Sequence, residues 1–501
     1  MKISYKQATV VLISLSTFFR IFLGSQLEFG NDEVYYWLYA KYPDISHFDH
    51  PPFVGFFIQL FTVNLWFDSE LAIRLAAIIP ASITMYLIFL IGKQLKDERL
   101  GFIAVLLYNI SIYGFIISGL FILPDAPLLF FWVLSFYFLL QSLPYEPSTT
   151  TRKKILWAFV GIGCAIYSKY QAVFLLLGVS LYIVCFNRKW LKDWSLYVGL
   201  LVPILAVSLI FYWNYQNDFI SYKFHNNRVS LFSLSFNKNS FIRELLGQCL
   251  YNNPYIFILV IVMLVSFFRK KFVLTTKVAW LFLFISLPLI VTTIYISLSR
   301  DTLPHWSGVS YITLLPLVGL FIYQQKNIVH NLIITVAVLV SIYTLASFVI
   351  NQGWFLSVKT AESKELTGRN DALMDMYGWK QASERVSEFI EQKELNHLPI
   401  ISDKWFPAAH IDYYIARPNQ MKVYGIGELP NIHKYYWINK MYPDITNEKE
   451  FLYLTDSRNF RDPQMVYTHT YKKYELLQTF LVERNDQVVK YVFLYKLCKD
   501  S

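Results

Sequence analysis

Long apolar runs separated by short polar turns fill the first 350 residues of the chain. A bilayer core about 30 Å thick is crossed by roughly 20 helical residues, so runs of this length predict membrane-spanning helices. We expect about eleven spans, or twelve to thirteen, and a shorter run at 53–66 favours a helix lying at the membrane surface. The predicted spans are residues 8–24, 71–93, 100–120, 126–142, 155–168, 170–186, 195–213, 247–267, 278–298, 308–323 and 329–350.

After residue 350 charges become frequent and no apolar run reaches membrane length. A helical pattern covers 379–393, and short strand-like runs follow it at 398–402, 421–426, 451–455 and 489–496. The fold class is therefore an α-helical polytopic membrane protein with a C-terminal α/β domain. The predicted domains are a membrane domain at 1–350, whose first outer loop is 25–70, and an extracytoplasmic soluble domain at 351–501.

Composition supports this organisation and excludes a purely soluble enzyme. Of the residues, 55% are hydrophobic and 16% charged, whereas soluble domains carry about 25% charge. The net charge of +10 comes from lysines and arginines placed mostly between apolar runs, which indicates topology and contact with anionic lipid rather than with nucleic acid. The same distribution predicts a multi-pass membrane protein with its N-terminus cytoplasmic and its C-terminal domain outside. Four scattered cysteines without a C-x-x-C pair suggest neither a disulfide framework nor a zinc cluster.

Acidic residues recur in the predicted outer turns. Asp32 and Glu33 lie where a short helix over 33–41 is expected, and Asn31 or Asp32 could cap it. Such an acid either belongs to an ordinary interfacial helix or is held as a general base. Asp125 precedes an apolar run, where a charge is expensive, and it could be a helix cap, a functional acid or both.

Histidines and cations accompany these acids on the same predicted side. Asp49 and His50 precede two prolines and offer oxygen and nitrogen ligands to a metal or a phosphate, although they could simply mark the start of a helix. The other candidates have two interpretations. They either face solvent or lipid headgroups, or they bind a phosphate or a metal. They are Lys223, His225 and Arg228 in loop 214–246, and Arg300 and His305 in the last outer turn.

Motifs for nucleotide hydrolysis or zinc proteolysis are missing from the sequence, which has no P-loop, GxGxxG, GxSxG or HExxH. An outer site without a nucleotide suits a substrate carried by a lipid. A transporter or flippase of lipid-linked sugars is an alternative, but the chain shows no paired inverted repeats. An interaction protein whose outer domain acts as a receptor would not need the acids of the membrane loops.

Six short motifs, in order along the membrane part, resemble those of the GT-C glycosyltransferases of the protein-mannosyltransferase and aminoarabinose-transferase superfamily. They are Asn31-Asp32-Glu33-Val34-Tyr35-Tyr36, Asp49-His50-Pro51-Pro52, Glu70 to Arg74, Pro124-Asp125-Ala126-Pro127-Leu128, Trp213-Asn214 through His225, and His305-Trp306 with Tyr311.

The resemblance implies an integral membrane glycosyltransferase that moves a sugar from a polyprenyl-phosphate donor to a hydroxyl of a lipid, glycan or protein acceptor. It further implies inversion at the sugar carbon, a role in protein glycosylation or in modification of lipid A or envelope glycans, and an assisting divalent cation such as Mg, Mn or Zn. No nucleotide cofactor and no nucleic-acid partner are expected, and membrane lipids surround the protein. The resemblance also implies that the membrane is the inner (plasma) membrane.

Residue roles follow from the same resemblance. Asp32 corresponds to the presumed catalytic acid, and Glu33 and Asp125 are further catalytic candidates. Relatives have lysine where this chain has His50. The implied metal ligands are Asp49 and His225, with Arg228 on the phosphate. The other candidates for phosphate binding are proposed from their own chemistry and position: His50, Lys223, Arg300 and His305.

Overall fold

The computed structural model divides into two compact units. The first comprises Met1–Phe22 and Pro43–Ser341, and the second comprises Leu23–Tyr42 and Ile342–Ser501. The segment Leu23–Tyr42, which the sequence assigned to the membrane domain, thus groups with the C-terminal part. The structure describes residues 3–229, 236–269, 276–354, 362–369, 371–442, 445, 448–467 and 470–499.

Helices make up most of the described chain, which confirms the predicted helical fold class. Through the apolar part they are α1 (Tyr5–Gln26), α2 (Asn31–Lys41), α3 (Phe53–Phe61), α4 (Glu70–Leu95), α5 (Glu98–Ile110), α6 (Asp125–Leu140), α7 (Thr149–Ile166), α8 (Val173–Phe186), α9 (Trp194–Gln216), α10 (Ile220–Val229), α11 (Lys238–Tyr251), α12 (Pro254–Phe268), α13 (Thr276–Ser297), α14 (Gly308–Ile322) and α15 (Ile328–Gln352). Towards the C-terminus they are α16 (Trp379–Gln392), α17 (Trp405–His410), α18 (Leu429–Ile432), α19 (Tyr435–Met441) and α20 (Pro463–Val466).

Six apolar stretches of the described chain are long enough to cross a membrane: α1, α4, α9, α13, α15 and the stretch Pro304–Ile322 that contains α14. Helices α11 and α12 meet at a bend of 102° and would make a seventh span if counted together. Other predicted spans coincide with shorter apolar helices, such as α6 with its 16 residues. The chain is a multi-pass membrane protein, and the figure of about eleven spans stays a prediction.

Local sequence explains where these helices begin. The side chain of Ser69 accepts a hydrogen bond from the Ala72 amide at 3.3 Å, and Asp97 accepts one from the Leu100 amide at 2.9 Å. Such caps satisfy amides that have no partner inside the helix. Between the helices, aliphatic side chains together with some aromatic ones fill the buried core of the first unit, where the Trp132 indole donates to Thr313 Oγ1 at 2.8 Å.

The second unit contains one five-stranded sheet in the order β2, β1, β3, β5, β4. Strand β1 is parallel to β2 and to β3, while β5 is antiparallel to β3 and β4. The predicted helix at 379–393 and four predicted strands are confirmed by α16, β1, β2, β3 and β5. The strands are β1 (Ile400–Ser402), β2 (Val423–Gly425), β3 (Glu450–Asp456), β4 (Lys473–Arg484) and β5 (Gln487–Cys498).

Strand β4 is the element that the sequence prediction missed. Its residues are largely exposed or half-buried, so the strand has a weak buried-run signal. It pairs with β5 through a two-residue turn at Asn485 and Asp486, whose φ angles of 52° and 58° are both left-handed. Asn and Asp tolerate this conformation, and such turns match the twist of antiparallel strands.

Gly378 precedes α16 with a φ of 89°, a conformation that side chains rarely adopt. A Cβ at this position would also lie 2.5 Å from Val482 Cγ1. We expect Gly378→Ala to lower the free energy of unfolding of the second unit by about 1–3 kcal/mol, measured by thermal denaturation of the full chain in detergent.

Gly427→Ala is the matched control for this substitution. Its Cβ would meet its nearest neighbours, Asp403 O and Ile432 Cγ2, at an ordinary 3.5 Å. This variant should unfold like the wild type. Equal unfolding temperatures for the two glycine variants would contradict the assignment of strain to Gly378.

Candidate functional site

The first unit contains a buried ion pair between Asp125 and Lys169. Asp125 opens α6 and is 2% exposed, and its Oδ2 accepts a hydrogen bond from Lys169 Nζ at 2.7 Å. Tyr113 donates its hydroxyl to Oδ1 of the same carboxylate at 3.1 Å. The position suits an acid because the N-terminus of a helix favours negative charge.

His305 belongs to the same cluster, because it interacts electrostatically with both Asp125 and Lys169. The turn that carries His305 is tied to the start of the Tyr170–Ala172 helical turn, where Gln171 Nε2 donates to the carbonyl of Trp306 at 3.1 Å. The structure therefore brings together two candidates from distant parts of the sequence, Asp125 and His305, and adds Lys169 to the cluster.

The turn over residues 44–50 carries Asp49 and His50, and both residues are half-buried. Trp213 Nε1 donates to Asp44 Oδ2 at 2.9 Å, and the Tyr167 hydroxyl donates to the carbonyl of Ile45. Asp49 is close enough to Tyr170 to interact with it electrostatically. The turn is thus held by the ends of α7 and α9, and it lies beside the short helical turn that follows Lys169.

Helix α10 packs against the same turn. The Phe224 and Phe48 rings lie 4.6 Å apart, and Ser221 Oγ donates to the carbonyl of His47 at 3.4 Å. Lys223 on this helix is exposed. The backbone of α10 includes His225 and Arg228, but their side chains lie outside the described part of the structure, so their roles stay predictions.

The donor set for a metal is only partly described. Among the residues that the structure describes, no group of three or more His, Cys, Asp or Glu side chains could hold a metal ion. The chemistry of Asp49 and His225, one oxygen and one nitrogen ligand, fits a divalent cation. The proximity of α10 to the Asp49 turn agrees with that pairing.

No described contact of the Arg300 side chain links it to this cluster. The residue is exposed, and its carbonyl accepts a hydrogen bond from Ser240 Oγ at 2.5 Å. Its neighbour Asp301 is paired with Arg243. The proposed contact of Arg300 with a phosphate stays a prediction.

In the second unit, the two neighbouring acids have different environments. Asp32 lies in the first turn of α2 and is exposed, whereas Glu33 is 3% exposed. Glu33 Oε2 accepts a hydrogen bond from the Gly30 amide at 3.3 Å, so Glu33 caps the helix. The expectation that Asn31 or Asp32 would be the N-cap is wrong, because the helix begins at Asn31 and Gly30 is the N-cap.

Lys169 is the residue of this cluster that the sequence prediction missed. It interrupts the apolar stretch 155–186 with a single positive charge, and an ionisable residue inside such a stretch calls for a buried partner. The sequence predicts two spans, 155–168 and 170–186, on either side of Lys169, but it predicts no partner for the charge of this residue.

Comparisons with known proteins agree with this architecture. Residues 49–213 match the family model of dolichyl-phosphate-mannose-protein mannosyltransferase, and this segment contains Asp49, Asp125 and Lys169. No curated protein matches the chain.

Solved structures share the fold along nearly the whole chain. ArnT from Cupriavidus metallidurans bound to undecaprenyl phosphate matches with a TM-score of 0.63 and 13% identity over 97% of both chains. The apo state of ArnT matches with a TM-score of 0.58 and 12% identity over 98% of both chains. AglB from Archaeoglobus fulgidus, in complex with an inhibitory peptide and a dolichol-phosphate, matches with a TM-score of 0.50 and 11% identity over 92% of this chain and 70% of that chain. The resemblance inferred from the short motifs is confirmed.

Removing one partner of the buried pair should be costly. Lys169→Met leaves the Asp125 carboxylate buried without its cation, and we expect a loss of about 3–5 kcal/mol in the free energy of unfolding. In the double variant Asp125→Asn and Lys169→Met no charge remains, so part of that loss should be recovered, with a coupling energy of about 0.5–3 kcal/mol. Denaturation in detergent measures both values.

The exposed pair Lys93–Glu98 provides the control. Its side chains are 49% and 34% exposed, and such pairs contribute about 0–1 kcal/mol. Lys93→Met should therefore leave stability nearly unchanged. Strictly additive effects of the Asp125 and Lys169 substitutions would show that the two groups are not coupled.

Proposed function

We propose that this chain, which has the fold of the GT-C glycosyltransferases of the ArnT and protein-mannosyltransferase type, is itself a membrane glycosyltransferase. Its donor would be a sugar linked to a polyprenyl phosphate, and its acceptor a hydroxyl of a lipid, a glycan or a protein. Undecaprenyl phosphate is bound by the ArnT of the comparison and dolichol-phosphate by the AglB. Both ligands are polyprenyl phosphates, and this shared chemistry supports the donor class.

The observation that carries the proposal is the position of the charged cluster within the segment that matches the mannosyltransferase family. Asp49 and the buried pair of Asp125 and Lys169 all fall inside residues 49–213. A buried, hydrogen-bonded charge pair in an apolar unit costs desolvation energy, so its presence favours a functional role over a purely stabilising one.

In the proposed reaction, the acceptor oxygen attacks the anomeric carbon from the side opposite the phosphate. The new bond joins the acceptor oxygen to the sugar, the bond between the sugar and the phosphate oxygen breaks, and the configuration inverts. Asp32 takes the proton of the acceptor hydroxyl. The polyprenyl phosphate leaves with the electron pair of the broken bond.

The departing phosphate needs positive charge. We assign this task to the cations and histidines that follow the predicted outer ends of the helices, each able to donate hydrogen bonds to phosphoryl oxygens. A divalent cation, if bound, would be held by Asp49 and His225 and would add positive charge beside the phosphate. The assigned residues are His50, Lys223, Arg228, Arg300 and His305.

The cellular arrangement completes the proposal. We place the protein in the inner (plasma) membrane with the N-terminus in the cytoplasm, because the basic turns then face the cytoplasm. The C-terminal domain then lies outside the cytoplasm, on the side of the acids.

Asp32 and Glu33 offer a matched isosteric test. Asp32→Asn removes the proposed base and should lower kcat by about 10²–10⁴-fold without changing expression or unfolding temperature. Glu33→Gln should retain activity, because glutamine serves at this position of a capping box as glutamate does. The assay follows release of polyprenyl phosphate by the purified protein in detergent, with envelope extract as acceptor.

The reverse result, an active Asp32→Asn enzyme and an inactive Glu33→Gln enzyme, would move the base to Glu33. Movement of the lipid-linked sugar across vesicle membranes without release of polyprenyl phosphate would instead favour a transporter.

The metal requirement is tested by chelation. Treatment with EDTA should reduce transfer, and added Mg, Mn or Zn should restore it. Asp49→Asn should raise the metal concentration needed for half-maximal activity, since a carboxylate ligand is lost. A wild-type rate that EDTA leaves unchanged would remove the cation from the proposal.

A further inference from the structure

The residue before Asp32 is held by two side chains from the C-terminal part of the second unit. Asn31 Nδ2 donates to Asp375 Oδ1 at 2.9 Å, and Asn31 Oδ1 lies 3.1 Å from His410 Nε2. Arg458 forms an ion pair with the same Asp375 oxygen. Because the carboxylate accepts from the amide nitrogen, the amide oxygen faces the imidazole, and His410 must donate through Nε2.

His410 is built rigidly into the unit. The side chain is fully buried, and its ring stacks on Trp379 with centroids 4.3 Å apart and an angle of 4°. The Tyr414 ring is nearly parallel to it at 6.0 Å. Burial, with Lys490 and Arg458 nearby, holds the pKa of His410 well below its ordinary value. The imidazole is therefore neutral, and it keeps one donor and one acceptor nitrogen.

The residues around Asn31 are anchored in the same way. Glu28 accepts hydrogen bonds from the amides of Trp379 at 2.6 Å and Lys380 at 3.2 Å, so it caps α16 from another part of the chain. The amide of Phe29 donates to the Tyr414 hydroxyl at 2.9 Å.

The far end of α2 is fixed by an ion pair. Lys41 Nζ lies 2.8 Å from Asp412 Oδ1, and Asp412 is 2% exposed. The Tyr435 hydroxyl donates to Asp412 Oδ2 at 3.3 Å. Between the two anchors, the residues Glu33–Ala40 are buried. Asp32 is thus an exposed acid on a helix whose two ends are held by polar contacts.

We propose that the C-terminal domain positions Asp32 for reaction, and that His410, Asn31 and Asp375 are the positioning residues that fix the first turn of α2. This inference rests on the proposed role of Asp32 as the base. It gives the domain a part in catalysis itself, since a base is effective only within hydrogen-bonding distance of the proton it takes.

Two substitutions of His410 separate the hydrogen bond from the packing. His410→Phe keeps an aromatic ring beside Trp379 and Tyr414 but cannot donate to Asn31, whereas His410→Gln has an amide nitrogen in place of Nε2. We expect His410→Phe to lower kcat by up to about 10²-fold with KM for the donor unchanged, and His410→Gln to restore most of the rate. Amide hydrogen exchange of residues 28–41 should quicken in the Phe variant and not in the Gln variant.

Asn439→Ala provides a control for general weakening of the domain. Asn439 bonds both the amide and the carbonyl of Gly425 at 3.2 and 2.6 Å, and neither bond involves the segment 28–41. It should lower the unfolding temperature without changing kcat. A His410→Phe enzyme with wild-type kcat and unchanged exchange over 28–41 would overturn the inference, as would loss of kcat in Asn439→Ala to the same degree.

Failure of the proposed function gives a different result. If the wild-type protein releases no polyprenyl phosphate from any donor tested, the transferase proposal fails. The exchange measurement then still decides whether His410 fixes the first turn of α2. Unchanged exchange in the Phe variant would refute the positioning role even in that case.

Discussion

A charge buried in an apolar unit must be paired, and this constraint organises the first unit. The pair of Asp125 and Lys169, at 2.7 Å and almost inaccessible to solvent, joins the start of α6 to the break between α7 and α8. Tyr113 supplies a further hydrogen bond to the carboxylate. Once these groups are fixed, the neighbouring turns have defined positions, including the turn that carries His305. Polar contacts at the ends of apolar helices thus specify how the helices of this part of the bundle pack together.

In the second unit, contacts of the same kind hold α2 in place. Helix α2 is held along its length by aromatic packing and at its ends by polar contacts. The aromatic residues Tyr35 and Trp405 lie with ring centroids 4.9 Å apart. Burial of such rings contributes strongly to packing. The exposed Asp32 is consequently carried by a helix whose following residues are buried and whose two ends make polar contacts.

Much of the fold could be predicted from the sequence, because the patterns that indicate its elements are strong and local. Apolar runs located the helices, and the amphipathic pattern of 379–393 located α16 almost to the residue. The grouping of Leu23–Tyr42 with the C-terminal part could not be predicted, because it depends on contacts such as Asn31 with His410, 379 residues apart. Strand β4 was missed because most of its residues are exposed or half-buried, and only Phe480, Val482 and Arg484 on one face are buried.

The candidate site could be predicted only in part, because its contacts also join distant parts of the chain. Short motifs pointed to Asp32, Asp49 and Asp125, since these acids stand next to apolar runs. The partners of those acids come from elsewhere in the chain, as Lys169 does for Asp125. A lone lysine between two apolar runs carries information only when the cost of burying it is considered.

The central claim is that a glycosyl group passes from a polyprenyl phosphate to an acceptor. It is tested most directly by incubating purified wild-type protein with a lipid-linked sugar and an acceptor extract, and counting both products by mass spectrometry. We predict one polyprenyl phosphate released for each glycosidic bond formed. An intact donor after prolonged incubation with lipid, glycan and peptide acceptors would contradict the account.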